Sequence, residues 1–519
     1  MNQTNKPTNI SIILKICLFA TGLAGIVAEF VLSTLASYLL GDSIFQWSLI
    51  ISLMLFAMGV GSYVTKHIEN HLLDKFIFTE FALSILCAIS AAVTYGLAAY
   101  TQTTNLFIYG LSFLIGFLIG LEIPLVTRIN QKYETLRVNI SAVMQYDYLG
   151  ALAGGLLFSF FALPKLGLTY TPVALSCVNF FVASILLWKF RDLLHFKRSI
   201  YLSFCAVVVF LMILTIIIRP IILFSEQRQY RDKIIFQTQS LYQNIVITQW
   251  KKDYWLFINR NLQFSTYDEE RYHEPLVHPA LSLTPSRRNI LVLGGGDGLA
   301  VREILKYPDV EKIVLVDLDP AMTELGQHFF VFLEANHGSL NDSRVTIVNM
   351  DAFQFLKQDT LVYDAIIVDL PDPNTVELAK LYSTNFYELA KHHLSQYGVL
   401  VTQSCEAWMA TKAFCCINKT MEAVGFAVVP YHNYISTMGD WGWNLGMKYE
   451  VITVEKIKQK LQNLAFDAIP TKFLNHDALL SMIHFGKGIF ETKSELEINT
   501  EIHPILHKYY MEAYAMQLN

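Results

Sequence analysis

The chain has 519 residues, of which 53% are hydrophobic and only 16% are charged, and its formal net charge is −5. Soluble domains usually carry about 25% charged residues, so this composition excludes a disordered chain and a wholly soluble enzyme. The chain has no basic excess to bind a phosphate backbone, which excludes nucleic acid as an expected partner. The seven cysteines form no CxxC pair, so neither a cysteine zinc cage nor a disulfide framework is expected.

Apolar stretches of bilayer length dominate the chain up to about residue 225 and do not occur beyond it. A membrane-spanning helix needs about 20 apolar residues. Residues 1–224 are therefore predicted to form a transmembrane α-helical bundle of about seven helices. The expected helices are 11–39, 44–66, 75–98, 106–127, 139–163, 169–190 and 199–222.

Lys and Arg residues are concentrated at one end of these predicted helices. That end carries Lys6 and Lys15, two further lysines between helices 2 and 3, and seven basic residues in the next two loops on that side, whereas the opposite short loops contain almost only Lys165. The positive-inside rule therefore places the N-terminus in the cytoplasm. With seven spans, the remainder of the chain would lie outside.

Three acidic residues, Glu29, Glu122 and Asp147, fall inside the predicted spans. Ionisable groups at membrane depth are costly and usually face a protein interior or a wet cavity. Two interpretations stay open. The acids could form a path or site for a cation, or they could make hydrogen bonds between helices, to Arg128 or to nearby tyrosines.

The soluble half begins with a region of β-type alternation. Residues 240–249 and 254–259 alternate apolar and polar side chains around a turn at Lys251-Lys-Asp253. This pattern predicts a small antiparallel β domain over 225–267, followed by a helix around 268–281.

A strand, glycine turn, helix, strand and acid follow in that order. Strand 289–293 leads into Gly294-Gly-Gly-Asp-Gly298, and after helix 299–307 the strand 312–316 ends at Asp317. An acid about 20 residues past such glycines is typical of nucleotide-binding βαβ units. Further predicted strands are 345–348, 365–368 and 399–402, and further helices are 321–334, 353–357 and 384–394. The pattern indicates a doubly wound α/β domain over 268–490 with a C-terminal extension over 491–519.

The glycine turn indicates an adenosine ligand that carries a positive charge. Its spacing is not the GxGxxG of a pyrophosphate site, and Asp297 among the glycines would repel a phosphate but attract a cation. Gly294 and Gly296 would let the backbone approach the ligand. Asp317 could accept hydrogen bonds from a ribose diol, and Asp351, after the next strand, could receive an adenine amino group. A sulfonium nucleoside fits these features.

Asp369 and Asp372 follow a predicted strand in the segment Asp369-Leu-Pro-Asp-Pro373. Open α/β sheets bind their ligands at the carboxyl ends of the strands. Two carboxylates three residues apart can hold an amine, and one of them can take its proton. The alternatives are an Asx-type turn for the two aspartates and a structural, capping role for His273.

Eight segments of the soluble half resemble the signature blocks of the spermidine synthases, or polyamine aminopropyltransferases, and the helical half resembles the membrane-bound, multi-pass branch of that family. The segments are 242–247, 261–265, 268–274, 291–298, 316–320, 369–373, 381–383 and 398–403.

This resemblance implies a Rossmann-like fold that transfers an aminopropyl group from decarboxylated S-adenosylmethionine to putrescine, yielding spermidine and methylthioadenosine. The donor is a co-substrate, and no cofactor is implied. The resemblance assigns Gln243, Asp317, Asp351 and Ala352 to the thioadenosine group, His273, Asp297 and Asp372 to the amines, and Asp369 to proton acceptance. It also implies the lipid bilayer as a partner, a homodimer, and a cytoplasmic catalytic domain at the cell membrane, although the basic loops with seven spans indicate the opposite side.

The chain departs from the family pattern at Asn374–Lys380, where a Gly-Pro-rich loop is usual, and at Ala352, where Gly is frequent. The preferred amine therefore stays open. Trp441 and Trp443 could hold an alkylammonium by cation–π contact or could pack in the core. Two other functions are weighed: a methyltransferase that uses S-adenosylmethionine, and a polyamine transporter with a sensing domain.

Overall fold

The computed structural model describes residues 9–40, 43–98, 100–101 and 103–515. Lys6, one of the N-terminal basic residues, lies outside the described residues. The chain divides into two compact units, Met1–Arg231 and Asp232–Asn519.

In the first unit, the regular secondary structure of the described residues is helical. Its α-helices are α1 (Asn9–Leu40), α2 (Ser43–Val64), α3 (Leu72–Ala98), α4 (Thr104–Asn130), α5 (Leu136–Leu157), α6 (Leu163–Lys189) and α7 (Lys197–Gln229). Six continuous helical stretches in the described residues are long and apolar enough to cross a membrane, rather than the seven predicted from the sequence, because Leu136–Lys189 is one stretch of 54 residues.

The stretch Leu136–Lys189 nevertheless runs along the bundle and back. Val143 near its start and Leu186 near its end share one apolar cluster with Leu14 of α1. Phe158, from its middle, lies in a second cluster with Leu35, at the other end of α1. In the described residues, the six helical stretches therefore comprise seven helices, because α5 and α6 run in opposite directions.

The reversal takes place around Gly167, whose φ of 62° and ψ of −172° are not helical. A turn of π-helix at Phe158–Ala162 precedes it. Glycine adopts positive φ at no steric cost, so this residue supplies the bend near the start of α6.

The surroundings of the acidic residues in the bundle differ from one residue to the next. Glu122 is buried and lies against Glu80 of α3 and Thr21 of α1, whereas Glu29 and Asp147 are only partly buried. The prediction of Arg128 as a partner was wrong, because its guanidinium donates to the backbone carbonyls of the α2–α3 loop at 3.1 and 2.6 Å. Glu80 was not singled out from the sequence.

The second unit opens with a four-stranded antiparallel sheet in the order β1-β2-β3-β4. The strands are β1 (Lys233–Gln239), β2 (Asn244–Trp250), β3 (Asp253–Ile258) and β4 (Asn261–Ser265). The predicted start of this domain at residue 225 was too early, because α7 continues to Gln229. Ser225-Glu-Gln-Arg-Gln229 is polar but contains no helix breaker.

A seven-stranded sheet in the order β10-β11-β9-β8-β5-β6-β7 forms the centre of the second unit. Its strands are β5 (Asn289–Gly294), β6 (Lys312–Asp317), β7 (Val345–Asn349), β8 (Tyr363–Asp369), β9 (Leu394–Glu406), β10 (Phe426–Ile435) and β11 (Gly439–Lys448). Strands β9, β8, β5, β6 and β7 are parallel, β11 is antiparallel to β9, and β10 is antiparallel to β11. The parallel part matches the predicted doubly wound α/β pattern; β10 and β11 were not predicted.

Helices cover both faces of this sheet. They are α8 (Glu270–Leu283), α9 (Leu299–Ile304), α10 (Pro320–His328), α11 (Phe330–Asn336), α12 (Ala352–Gln358), α13 (Val376–Ala379), α14 (Thr384–His392), α15 (Thr411–Ala423), α16 (Val454–Leu461), α17 (His476–Met482) and α18 (Ile505–Ala515). One predicted helix, 321–334, is two helices, because Phe329 adopts extended geometry between α10 and α11.

The predicted C-terminal extension is part of the second unit's core. Ile505, Leu506 and Tyr510 of α18 are buried in the same apolar cluster as Phe386 of α14. Residues 516–519 lie outside the described part of the chain. The boundary predicted at 490 therefore does not mark a separate appendage.

Candidate active site

The carboxyl ends of β5, β6 and β8 form the edge at which the predicted site residues meet. Gly294 ends β5 directly beside Asp369, the last residue of β8, and the Gly295 N–H donates to the Asp369 carbonyl at 3.1 Å. Gly294 has a φ of +84°, and a side chain there would collide with that carbonyl oxygen. Only glycine fits this close approach without strain.

Asp317 closes the turn from the neighbouring strand β6. Its Oδ2 accepts from the Gly296 N–H at 3.0 Å, and its Oδ1 accepts from the Asp319 N–H at 2.9 Å. Burial raises the pKa of Asp317 to about 6 in spite of these hydrogen bonds. A carboxylate has about four lone-pair positions, so two remain for the hydroxyls of a ribose.

His273 lies on α8 and is paired with a glutamate that was not singled out from the sequence. Its Nδ1 lies 2.9 Å from Oε2 of Glu269, and Arg302 donates to both oxygens of the same carboxylate at 2.7 and 2.9 Å. Burial alone would lower the pKa of His273, but the hydrogen bond and charge of Glu269 raise it to about 9. His273 is therefore a fixed buried cation, and Asp297 and Asp369 are close enough to stabilise its charge.

Asp297 follows the glycines at the start of α9, where its Oδ1 accepts from the Leu299 N–H at 2.8 Å. Burial raises its pKa to about 6, which the positive charge of His273 opposes and the negative charge of Asp369 reinforces. Asp297 therefore lies close to His273 and to Asp369, the predicted proton acceptor. Its carboxylate keeps lone pairs for a cationic ligand.

Asp369 receives a hydrogen bond from the hydroxyl of Tyr272, with 2.7 Å between the Tyr272 Oη and Asp369 Oδ1. Burial raises the pKa of Asp369, while His273 and the Tyr272 hydroxyl oppose the rise. Tyr272 is itself buried on α8, next to His273. This arrangement gives Asp369 a fixed orientation and a pKa shifted toward that of a base that works near neutral pH.

Asp372 lies one short loop beyond Asp369 and is held by residues distant in sequence. Its Oδ1 accepts from Gln403 at 3.2 Å, and its Oδ2 accepts from the Tyr510 hydroxyl of α18 at 3.0 Å. The Tyr382 hydroxyl donates to the carbonyls of Leu370 and Pro371 in the same loop. Burial raises the pKa of Asp372 to about 6, although its hydrogen bonds oppose the rise.

The loop between β1 and β2, which carries Gln243, is tied to the edge of the large sheet. Ser240 accepts from the Gln243 N–H at 3.0 Å and donates to Oδ2 of Asp319 at 2.6 Å. Asp351 begins α12 as its N-cap, where Oδ1 accepts from the Gln354 N–H at 2.9 Å. Ala352 is buried beside it. These residues flank the part of the same edge at which β6 and β7 end.

The two tryptophans of β11 lie in the protein core. Trp443 is fully buried and packs against Tyr272 and Tyr431, with ring centroids 5.6 Å away in both cases. Trp441 is 9% exposed and lies 6.1 Å from the Tyr272 ring. Core packing accounts for Trp443, and the two rings together hold Tyr272 in place.

The structure thus brings four of the five predicted aspartates together at one sheet edge, in an acidic group that we call the aspartate cleft: Asp297, Asp317, Asp369 and Asp372. Behind it, the Glu269 carboxylate accepts from Arg302 and also holds His273, which is the cation beside these carboxylates. Such a cleft favours cationic ligands. Sequence reasoning missed Glu269, although it stands four residues before His273 on α8, and it missed Tyr272, Gln403 and Tyr510 as partners of the aspartates.

Known proteins are similar to this chain over most of its length. Residues 269–458 match the family model described as "Spermine/spermidine synthase domain". The chain is 41% identical over 508 residues to "Polyamine aminopropyltransferase 2" of Aquifex aeolicus, covering 97% of this chain and 99% of that protein. It is 38% identical to "Polyamine aminopropyltransferase" of Leptospira interrogans, covering 94% and 95%.

Among solved structures, the spermidine synthase from Thermotoga maritima superimposes with a TM-score of 0.45 and 22% sequence identity, covering 51% of this chain and 88% of that one. The similarity to the curated relatives extends through the helical unit as well as the second unit, because they are matched over nearly their full lengths.

Proposed function

This chain belongs to the polyamine aminopropyltransferase family, and we propose that its second unit transfers the aminopropyl group of decarboxylated S-adenosylmethionine to putrescine. The observation that carries the proposal is the aspartate cleft. Both substrates are cations, and the cleft offers four partly buried carboxylates at one sheet edge. The products are spermidine and methylthioadenosine.

On the donor side, Asp317 accepts the ribose hydroxyls, Asp351 and Ala352 receive the adenine, and Gln243 closes over the thioadenosine group from the β1–β2 loop. Gly294 and Gly296 leave the backbone room for this ligand. Asp297 binds the ammonium end of the aminopropyl chain, next to the fixed charge of His273. The donor contributes the reactive group, so the reaction requires no resident cofactor.

On the acceptor side, Asp372 binds the distal ammonium of putrescine and Asp369 takes a proton from the reacting amine. The free amine then attacks the methylene carbon beside the sulfonium. The new carbon–nitrogen bond forms as the carbon–sulfur bond breaks, and its electron pair remains on the sulfur of neutral methylthioadenosine. The second amine proton leaves for solvent or a cleft carboxylate. Positioning and charge complementarity supply the catalysis.

The charge of Asp297 separates this reaction from a methyl transfer. S-adenosylmethionine carries a carboxylate next to its amine, and the Asp297 carboxylate would repel it. Decarboxylation leaves only the ammonium, which Asp297 attracts. The experiment that tests the proposal is a product analysis with both sulfonium donors and putrescine.

The raised pKa values predict how activity depends on pH. Asp297, Asp317 and Asp372 each have a pKa of about 6, so they keep their protons to a higher pH than ordinary aspartates. Below pH 6 they are neutral and lose their attraction for cations. We expect kcat/KM to fall as the pH drops from 7 through about 6, since kcat/KM reports the groups of the free enzyme. Initial rates measured between pH 5 and 8 would contradict this if they stayed flat through pH 6.

Tyr510 predicts a role for α18 in acceptor binding. Replacing Tyr510 with phenylalanine removes the hydroxyl that donates to Asp372 at 3.0 Å. A hydrogen bond to a charged group contributes about 1.5–3 kcal/mol, so kcat/KM for putrescine should fall about 10-fold or more while the donor KM stays constant. Tyr509→Phe is the matched control, because the Tyr509 hydroxyl accepts from the Glu497 N–H instead. Equal effects of both variants, or none from Tyr510→Phe, would contradict this role.

We also propose that the helical unit crosses a lipid bilayer of the cell membrane seven times, on the support of helix length and the reversal within Leu136–Lys189. Because the donor is a cytoplasmic metabolite, we place the second unit in the cytoplasm, against the distribution of basic loops. A protease-sensitive tag after residue 519 should be protected in intact cells; cleavage of the tag in intact cells would overturn this orientation.

A homodimer, as the family resemblance implies, completes the proposal and can be tested by light scattering in detergent.

A further inference from the structure

Three side chains at one end of the helical unit form a group with no part in the transfer reaction. His71 immediately precedes α3, Asp74 lies in its first turn, and His195 lies in the loop between α6 and α7. Their candidate ligand atoms all lie within 4.8 Å of one another. The two imidazole rings are in contact, with their centroids 4.1 Å apart.

Asp74 is fixed to the loop that carries His195. It is only 1% exposed, and its Oδ1 accepts from the backbone N–H groups of His195 and Phe196 at 2.9 and 2.8 Å. Those two hydrogen bonds set the orientation of the carboxylate toward both histidines. They also link the start of α3 to the loop before α7.

The ring nitrogens of the two imidazoles are available to a ligand. Within the described part of the chain, no hydrogen bond is made by a ring nitrogen of His71 or of His195. An imidazole ring nitrogen offers a lone pair to a metal ion. The nearby Lys66 does not compete for the space, because its Nζ lies over the Tyr63 ring at 3.5 Å.

Two imidazoles and one carboxylate are a donor set for borderline divalent transition metals. Zinc binds His nitrogen at about 2.0–2.1 Å and carboxylate oxygen at about 2.0–2.2 Å, whereas calcium and magnesium prefer oxygen donors alone. Ligand atoms around such an ion must lie closer together than 4.8 Å. His195 is exposed and can make that adjustment by rotating its side chain.

We propose that His71, Asp74 and His195 bind a divalent transition-metal ion of the zinc class, with water at the open position, and that the ion joins the loop before α3 to the loop before α7. The site is independent of the aspartate cleft, because none of its three residues belongs to the second unit. Metal binding should therefore stabilise the helical unit without changing the transfer reaction.

The test uses the full-length protein in detergent, without an affinity tag that contains histidine. Zn²⁺ and Co²⁺ are titrated by calorimetry and by the visible absorption of bound Co²⁺, and the metal content is measured after dialysis. We expect one high-affinity equivalent and a higher unfolding temperature with Zn²⁺. His71→Ala and His195→Ala should each weaken binding more than about 100-fold, since loss of an outer-shell partner alone costs about 10–100-fold.

Two further variants separate metal binding from a structural effect. Asp74→Asn keeps an oxygen for the backbone N–H groups but loses the carboxylate, and it should weaken Zn²⁺ binding while leaving the metal-free unfolding temperature close to that of the wild type. His67→Ala removes an exposed histidine of the same loop and should leave affinity unchanged. Absence of a tight equivalent, binding that survives His71→Ala and His195→Ala, or equal loss in His67→Ala would overturn the proposal.

Discussion

Replacing Asp369 with asparagine is expected to lower kcat by about 100- to 10,000-fold, the range by which a positioned general base accelerates a reaction. The asparagine oxygen can still accept the hydrogen bond that the Tyr272 hydroxyl makes to Asp369 at 2.7 Å. It cannot take a proton from the acceptor amine. The geometry of the cleft should therefore survive while proton acceptance is lost, and steady-state kinetics at saturating substrates would measure the difference.

Two controls separate the loss of the base from the loss of a charge or a contact. Asp364→Asn removes a carboxylate from the other end of β8, where Asp364 accepts from the backbone of Arg288 at 2.9 Å, and should leave kcat near the wild-type value. Tyr272→Phe keeps the base but frees its orientation, so a loss of about 10-fold is expected from one hydrogen bond to a charged group. Near-normal turnover of Asp369→Asn would refute the assignment.

Replacing Asp297 with asparagine should weaken the use of the decarboxylated donor and reduce discrimination against S-adenosylmethionine. The amide oxygen can keep the hydrogen bond from the Leu299 N–H, but it no longer offers a charge to the aminopropyl ammonium. A charge-assisted hydrogen bond contributes about 1.5–3 kcal/mol, so kcat/KM for the decarboxylated donor should fall about 10- to 100-fold. The measurement is kcat/KM for each donor at a fixed putrescine concentration.

The ratio of the two donors is the informative quantity for Asp297→Asn. Asp342→Asn is the matched control, because Asp342 is paired with Arg344 outside the cleft at 3.0 Å, and it should leave the ratio unchanged. If Asp297→Asn lowered kcat/KM for both donors equally, Asp297 would have a structural role and the proposed basis of donor selection would be wrong.

The order of strands and acids made the meeting of Asp317 and Asp369 at one edge predictable from sequence. Parallel strands end at one edge of a sheet, so the position of Asp317 after β6 and of Asp369 after β8 brings them together whatever the details of the intervening helices. The glycine turn could be located in the same way, because Gly294 and Gly296 adjoin those two aspartates.

The acceptor side depends on contacts that no local pattern encodes. Tyr510 reaches Asp372 across 138 residues of sequence, and β10 and β11 add antiparallel strands beyond the parallel part of the sheet. Arg302 reaches Glu269 across 33 residues, and this pair sets the environment of His273. In the helical unit, hydropathy gave the apolar segments, but the pairing of Glu80 with Glu122 depends on how α3 and α4 pack.

The most direct measurement offers the full-length enzyme both sulfonium donors together with putrescine and identifies every product by mass spectrometry. The aspartate cleft predicts equal amounts of methylthioadenosine and spermidine from decarboxylated S-adenosylmethionine, and little or no reaction with the carboxylated donor. Preferential use of S-adenosylmethionine, or a methylated amine as the main product, would contradict the account.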